Sequence, residues 1–98
     1  MEKNAKVVIV GGGVVGCSIL YHLSKFGLKD CVLLERNELT SGSSWHAAGN
    51  VHVISSDPNI SRLMAYTIGL YKEIEKESGH AIGYKPSGGF YLASNDVW

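Results

Sequence analysis

Lys6-Val-Val-Ile-Val10 is apolar at consecutive positions and stops at three glycines. A strand with one wet face alternates. An unbroken β-branched run instead predicts a strand covered on both faces, as in a parallel sheet. From Gly13 to Gly27 the period changes. Val15, Ile19, Leu23 and Phe26 recur at helical spacing, with Leu20 beside them, and Gly27 supplies the stop. Cys31–Glu35 is a second consecutive apolar run, closed by an acid. Strand, helix and strand within about 30 residues make a βαβ unit, whose crossover is expected to be right-handed.

Residues 36–56 are small, polar and without a period, which predicts loop with at most a helical turn. Asp57-Pro58 then predicts a helix start, with a capping carboxylate followed by a proline in the first turn. Ile60, Leu63, Met64, Thr67, Tyr71 and Ile74 mark one face of that helix up to Gly79, and Lys72, Glu73, Lys76 and Glu77 mark a solvated one. Beyond it, Ile82–Lys85 and Gly89–Ala93 are strand-like and flank the turn sequence Pro86-Ser87-Gly88. They predict the beginning of an antiparallel sheet. The expected division is therefore 1–80, part of a nucleotide-binding domain, and 81–98, the start of a second domain. Two parallel strands are too few for a complete doubly wound domain, so the chain reads as the amino-terminal part of a longer protein.

Composition narrows the functional classes. With 9 basic and 9 acidic residues the formal charge is zero, which argues against nucleic acid or a membrane surface held by bulk charge. The apolar fraction, 45%, is that of a globular chain. Cys17 and Cys31 form no CxxC pair and no metal-like cluster with histidine. They read as packed thiols in a reducing compartment. No secretory or transit signal is legible in MEKNAK and no apolar run reaches 18 residues. The expected location is the cytoplasm, with the mitochondrial matrix as the alternative if a transit peptide precedes this chain.

The three glycines after the first strand, Gly11-x-Gly13-x-x-Gly16, follow the GxGxxG pattern. Alone the pattern is weak. Here it leaves a strand, opens a helix, and is answered by Glu35 at the end of the next strand, 19 residues after Gly16. Gly11 allows the tight turn, Gly13 lets a diphosphate approach the backbone, and Gly16 brings the helix close to the sheet. The N–H groups of Gly13, Val14, Val15 and Gly16 open the helix, where its dipole favours negative charge. Glu35 is placed to accept hydrogen bonds from ribose hydroxyls and to disfavour a 2′-phosphate. Arg36 either contacts the adenine side or is solvated. The βαβ unit leaves NAD and FAD equally open.

The segment after Glu35 carries the distinguishing chemistry. Leu39-Thr40-Ser41-Gly42-Ser43-Ser44-Trp45-His46-Ala47-Ala48-Gly49 sets one indole and one imidazole among small residues. From Val7 to Gly49 the chain resembles the D-amino-acid-oxidase-type FAD oxidoreductases, and within them the dimethylglycine and sarcosine dehydrogenases. The matching positions are Leu39, Thr40, Gly42, Ser43, Ser44, Trp45, His46, Ala48 and Gly49. Ser87–Asn95, SGGFYLASN, resembles the early strands of the same family.

The resemblance implies an α/β fold: a partial Rossmann-type FAD-binding domain, β-α-β plus a helix, with the start of an antiparallel substrate-domain sheet. It implies FAD held covalently by His46, through an imidazole nitrogen joined to the flavin 8α-methyl carbon. A neutral imidazole is a competent nucleophile for that bond. Ser43, Ser44, Ala48 and Gly49 would let the backbone approach the cofactor, and Trp45 would cover part of the site. The implied substrate is a small N-methylated glycine-like amine oxidised at a C–N bond. Its carbon would pass to water or to folate through a region beyond this chain, and the electron acceptor is unspecified. His22 and His80 read as structural or exposed, and nothing in the spacing of His52 requires a ligand. No catalytic residue is assigned. The competing readings are a non-covalent FAD amino-acid oxidase, an NAD-binding dehydrogenase or sensor domain, and an inactive remnant.

Overall fold

The computed structural model describes residues 4–95. The first three residues, and the last three of the 81–98 segment, lie outside the described residues. The chain divides into two compact units that meet between Ala48 and Gly49 in sequence, and each is described by itself.

The first unit holds strand β1 (Val7–Val10), helix α1 (Val14–Lys25) and strand β2 (Cys31–Leu34). β1 and β2 pair in parallel, with Val7 opposite Cys31 and Val10 opposite Leu34. Helix α1 packs on both strands. This is the βαβ unit expected from the two consecutive apolar runs, each strand ending one residue inside its predicted C-terminal limit or on it. The expected cover on both faces is not met: Val8, Val10 and Leu34 are exposed, because α1 lies on one face and, among the described residues of this unit, no element lies on the other. Ile9 is the buried hydrophobic side chain at its centre, joined by the buried backbone of Gly12 and Gly16. Helix α1 ends as the sequence suggests. Gly27 takes a left-handed φ of 89° and its N–H bonds the Ser24 carbonyl at 2.9 Å.

The parallel register decides where the loops meet. Val10 and Leu34 are partners, so the glycine turn and Glu35 leave the sheet at the same end. The ladder even continues one step, with Gly11 N–H on the Leu34 carbonyl at 2.8 Å. That carboxyl end of a parallel sheet is where α/β folds bind ligands.

The second unit is built around helix α2 (Pro58–Ser78). Asp57 caps it by accepting from the N–H groups of Asn59 at 2.7 Å and Ile60 at 3.2 Å, and Gly79 closes it with a left-handed φ of 70°. The expected apolar face is only partly covered. Met64, Thr67, Tyr71 and Ile74 are half-buried, together with Ile68 and Leu70, whereas Ile60 and Leu63 are exposed. The tail differs from its expectation: residues 82–85 and 89–93 are not strands. A strand exists through a hydrogen-bonded neighbour, and among the described residues these segments have none. Ser87 N–H instead bonds the Lys85 carbonyl at 2.8 Å, a tight local turn. The antiparallel beginning is thus not confirmed. No helix of the described residues is long and apolar enough to cross a membrane.

Candidate functional site

The glycine turn is shaped by close contact as well as by conformation. Gly11 needs its φ of 108°, which L side chains rarely adopt. A β-carbon on Gly16 would drive into the Gly11 carbonyl and press on Ile9 Cγ2 at 3.4 Å, so this position lets α1 lie against β1. Gly12 was not singled out by the motif, which leaves that position free. A β-carbon there would stand 2.6 Å from Leu39 Cδ2 and 3.1 Å from Glu35 Cβ. The close approach of Leu39 and Glu35 is what favours a fourth glycine here, and no local pattern in the sequence announces it.

Glu35 is half-buried just beyond β2 and both its oxygens are engaged. Oε2 accepts from Gly12 N–H at 2.8 Å and Oε1 from Asn37 N–H at 3.0 Å. The Asn37 N–H first, then that of Gly12, with help from the N–H and charge of Arg36, hold this carboxyl below the usual glutamate range against a small opposing desolvation. Each oxygen keeps a further lone pair for a ribose hydroxyl. Arg36 is exposed.

At the start of α1, Gly13 is the N-cap and has no side chain to cap with. Ser44 supplies the missing oxygen from 30 residues away: its Oγ accepts from Val14 N–H at 2.8 Å. Intrahelical bonding begins with Cys17 N–H on the Gly13 carbonyl at 3.0 Å. The N–H groups of Val15 and Gly16 therefore precede the first helical donor, Cys17 N–H, and remain available to an anion. Two hollows open here, of about 450 and 500 Å³. The first is lined by the turn from Gly11 to Gly16, Glu35 and Ser41–Ser44, and the second by Glu35, Arg36, Asn37, Ser41 and Gly42.

The segment from Leu39 to His46 is a series of turns. Thr40 N–H bonds the Gly12 carbonyl at 2.9 Å. Thr40 also has a φ of 64°, the left-handed region that a β-branched residue enters at a cost of roughly 1–2 kcal/mol. Trp45 N–H returns to the Thr40 carbonyl at 3.1 Å and His46 N–H to Ser43 at 3.1 Å. Trp45 and His46 stack edge to face, centroids 5.8 Å apart, and both are exposed and outside the lining of the two hollows. His46 Nδ1 lies 2.9 Å from the Gly42 carbonyl. A carbonyl only accepts, so Nδ1 carries the hydrogen and the neutral ring presents its lone pair at Nε2.

The structure thus brings Gly11, Gly13, Val14, Val15, Gly16, Glu35, Ser43 and Ser44 to one rim, with Arg36 beside it and Trp45 and His46 on the same tied loop. Ala48 ends the first unit, and Gly49, with a φ of 76°, opens the second. The second unit has its own hollow of about 760 Å³, lined among others by Gly49, His52, Tyr71, Tyr84, Lys85 and Tyr91. It is larger, but it has neither a helix end nor a fixed carboxylate, so the glycine rim is the better candidate for a nucleotide.

A family profile described as FAD dependent oxidoreductase matches residues 6–98. Dimethylglycine dehydrogenase, mitochondrial, of Homo sapiens is 45% identical over 96 residues, 98% of this chain and 11% of that protein. Sarcosine dehydrogenase, mitochondrial, of Homo sapiens is 42% identical over 96 residues, 97% of this chain and 10% of its own length. The mitochondrial pyruvate dehydrogenase phosphatase regulatory subunit of Mus musculus is 40% identical over 93 residues, 95% of this chain and 11% of the subunit. The chain spans about a tenth of the length of these relatives.

Proposed function

The chain belongs to the FAD-dependent oxidoreductase family, and from that premise we propose that it contributes the adenine-nucleotide rim and the flavin-attachment histidine of an enzyme oxidising an N-methylated glycine-like amine. The N–H groups of Val15 and Gly16 would receive the diphosphate, aided by the hydroxyls of Ser43 and Ser44. Glu35, held ionised by two backbone donors, would take the ribose hydroxyls. Val14 and Gly13 shape the approach, Arg36 flanks the adenine end, and Trp45, Ala48 and Gly49 frame the loop. Residues 1–80 would belong to the nucleotide domain and 81–98 would begin the substrate domain.

The observation that carries the linkage is the fixed imidazole. Gly42 holds the Nδ1–H of His46, so Nε2 is the nitrogen presented for a bond to the 8α carbon. That bond would replace one 8α C–H, its proton leaving to solvent and its two electrons reducing the flavin ring, which dissolved oxygen would then reoxidise. When bound, the flavin supplies the two-electron acceptor for C–N oxidation, and the protein supplies orientation and a fixed charge pattern around it. The substrate reading follows from the relatives named for dimethylglycine and sarcosine. Transfer of the released carbon to folate and the identity of the electron acceptor would rest on parts of the protein beyond this chain. The relatives' mitochondrial designation supports that compartment over the cytoplasm.

Denaturing the intact protein tests this reading. Flavin fluorescence should stay with the polypeptide in wild type and leave it in His46→Ala. Complete release from wild type would reject the bond. A second reading, a regulatory subunit, is favoured by the mouse relative. Reduction of the flavin by dimethylglycine or sarcosine under anaerobic conditions supports the enzyme, and bound flavin inert to both supports the subunit.

A further inference from the structure

We infer that Ser44 is a positioning residue for flavin attachment, acting through the backbone rather than by touching the reacting atoms; this rests on the reading of His46 as the attachment point. His46 and Trp45 are exposed, so side-chain packing does not set their place. Hydrogen bonds do. The loop is fastened to the glycine turn at two points, Thr40 N–H on the Gly12 carbonyl at 2.9 Å and Ser44 Oγ on Val14 N–H at 2.8 Å. Thr40 lies six residues before His46 and Ser44 only two, so the serine is the nearer anchor.

The anchor also connects the two chemical ends of the site. Val14 is the first residue of α1, at the turn that faces the diphosphate, and its N–H is spent on Ser44. The serine hydroxyl keeps its own proton to donate onward. Occupation of the helix end and placement of the imidazole are thereby coupled through one side chain. Gly13 makes room for it, since a β-carbon there would stand 3.1 Å from Ser44 Oγ.

Either partner of the bond can be removed without breaking the helix. Ser44→Ala deletes the acceptor. Val14→Pro deletes the donor at the first helical position, where proline is tolerated, and the extended Gly13 before it (ψ −174°) is compatible with a following proline. The experiment uses the intact protein prepared without flavin, mixed with FAD, and follows flavin that survives denaturation as a function of time. Ser44→Ala and Val14→Pro are each expected to slow attachment about tenfold, the upper range for one neutral hydrogen bond. The double variant should be no slower than either single one, and Ser44→Thr, which keeps a hydroxyl, should restore most of the rate. The rate is read at saturating FAD, so that any loss of affinity from the missing hydroxyl does not enter it, and melting temperature should change less than the attachment rate. Attachment at the wild-type rate in Ser44→Ala overturns the role of Ser44 alone. A wild-type protein that releases all its flavin overturns the linkage at His46 and this role with it.

Discussion

The two units are held by different kinds of bond. Up to Ala48, groups distant in sequence meet: Gly12 N–H reaches Glu35 across 23 residues and Val14 N–H reaches Ser44 across 30. From Gly49 onward, the bonds described around α2 are local. Asp57 caps the next turn, Ser61 bonds Ser55, and Glu75 takes the N–H of Ile82 seven residues on. The first unit is a tertiary structure whose loops are fixed by its strands. The second is a well-capped helix with half-buried neighbours. A site needs the first kind of order, because only non-local bonds can hold a carboxylate, a helix end and an imidazole in one frame.

Substitutions of glycine separate the two units most sharply. Gly16→Ala should destabilise the intact protein by about 3 kcal/mol, since the new methyl meets backbone that cannot yield and α1 must lift from β1. Urea unfolding measures it, and a neutral result would mean the helix is not pressed on the strand. Asp57→Ala should cost about 1 kcal/mol by the same assay, through the lost cap of α2. Gly69→Ala, in the interior of α2 with open space around the added carbon, should instead stabilise by about 0.5–1 kcal/mol. If it destabilised, α2 would be packed as tightly there as α1 is at Gly16.

The smallest effect concerns acid. The folded-state pKa of Glu35 is depressed, so the stability its carboxylate adds is fully present above the unfolded value, about 4.3, and is lost as pH falls through the lower folded one. The Gly12 amide resonance, followed by NMR in the intact protein, should move in that acidic window and stay flat through it in Glu35→Gln. Movement centred at or above the usual glutamate value would remove the two backbone donors as the cause.

What the sequence made legible was local. β-branched runs, one helical period, Asp57-Pro58 and the glycine stops each report on a few neighbouring residues, and β1, α1, β2 and α2 follow from them. The rim was legible as a set of residues, because the glycine motif and Glu35 have a fixed spacing. Its geometry was not. The need for glycine at position 12 comes from Leu39 and Glu35, the cap of α1 comes from Ser44, and the left-handed Thr40 is coupled to the Gly12 carbonyl. None of these leaves a period. The tail is the reverse case: Ile82–Lys85 and Gly89–Ala93 have strand composition, and among the described residues neither finds the hydrogen-bonded neighbour that would confirm it.

The parallel pair itself has a practical consequence. Val10 is 86% exposed and Val8 52%, on a ribbon that, among the described residues, contains only β1 and β2. Two strands are below the size that is self-sufficient in water, and open edges recruit other chains. Expressed by itself, this stretch should accumulate in inclusion bodies. A ladder of progressively longer polypeptides, scored by yield in the clarified supernatant, would mark the length at which the ribbon acquires its cover.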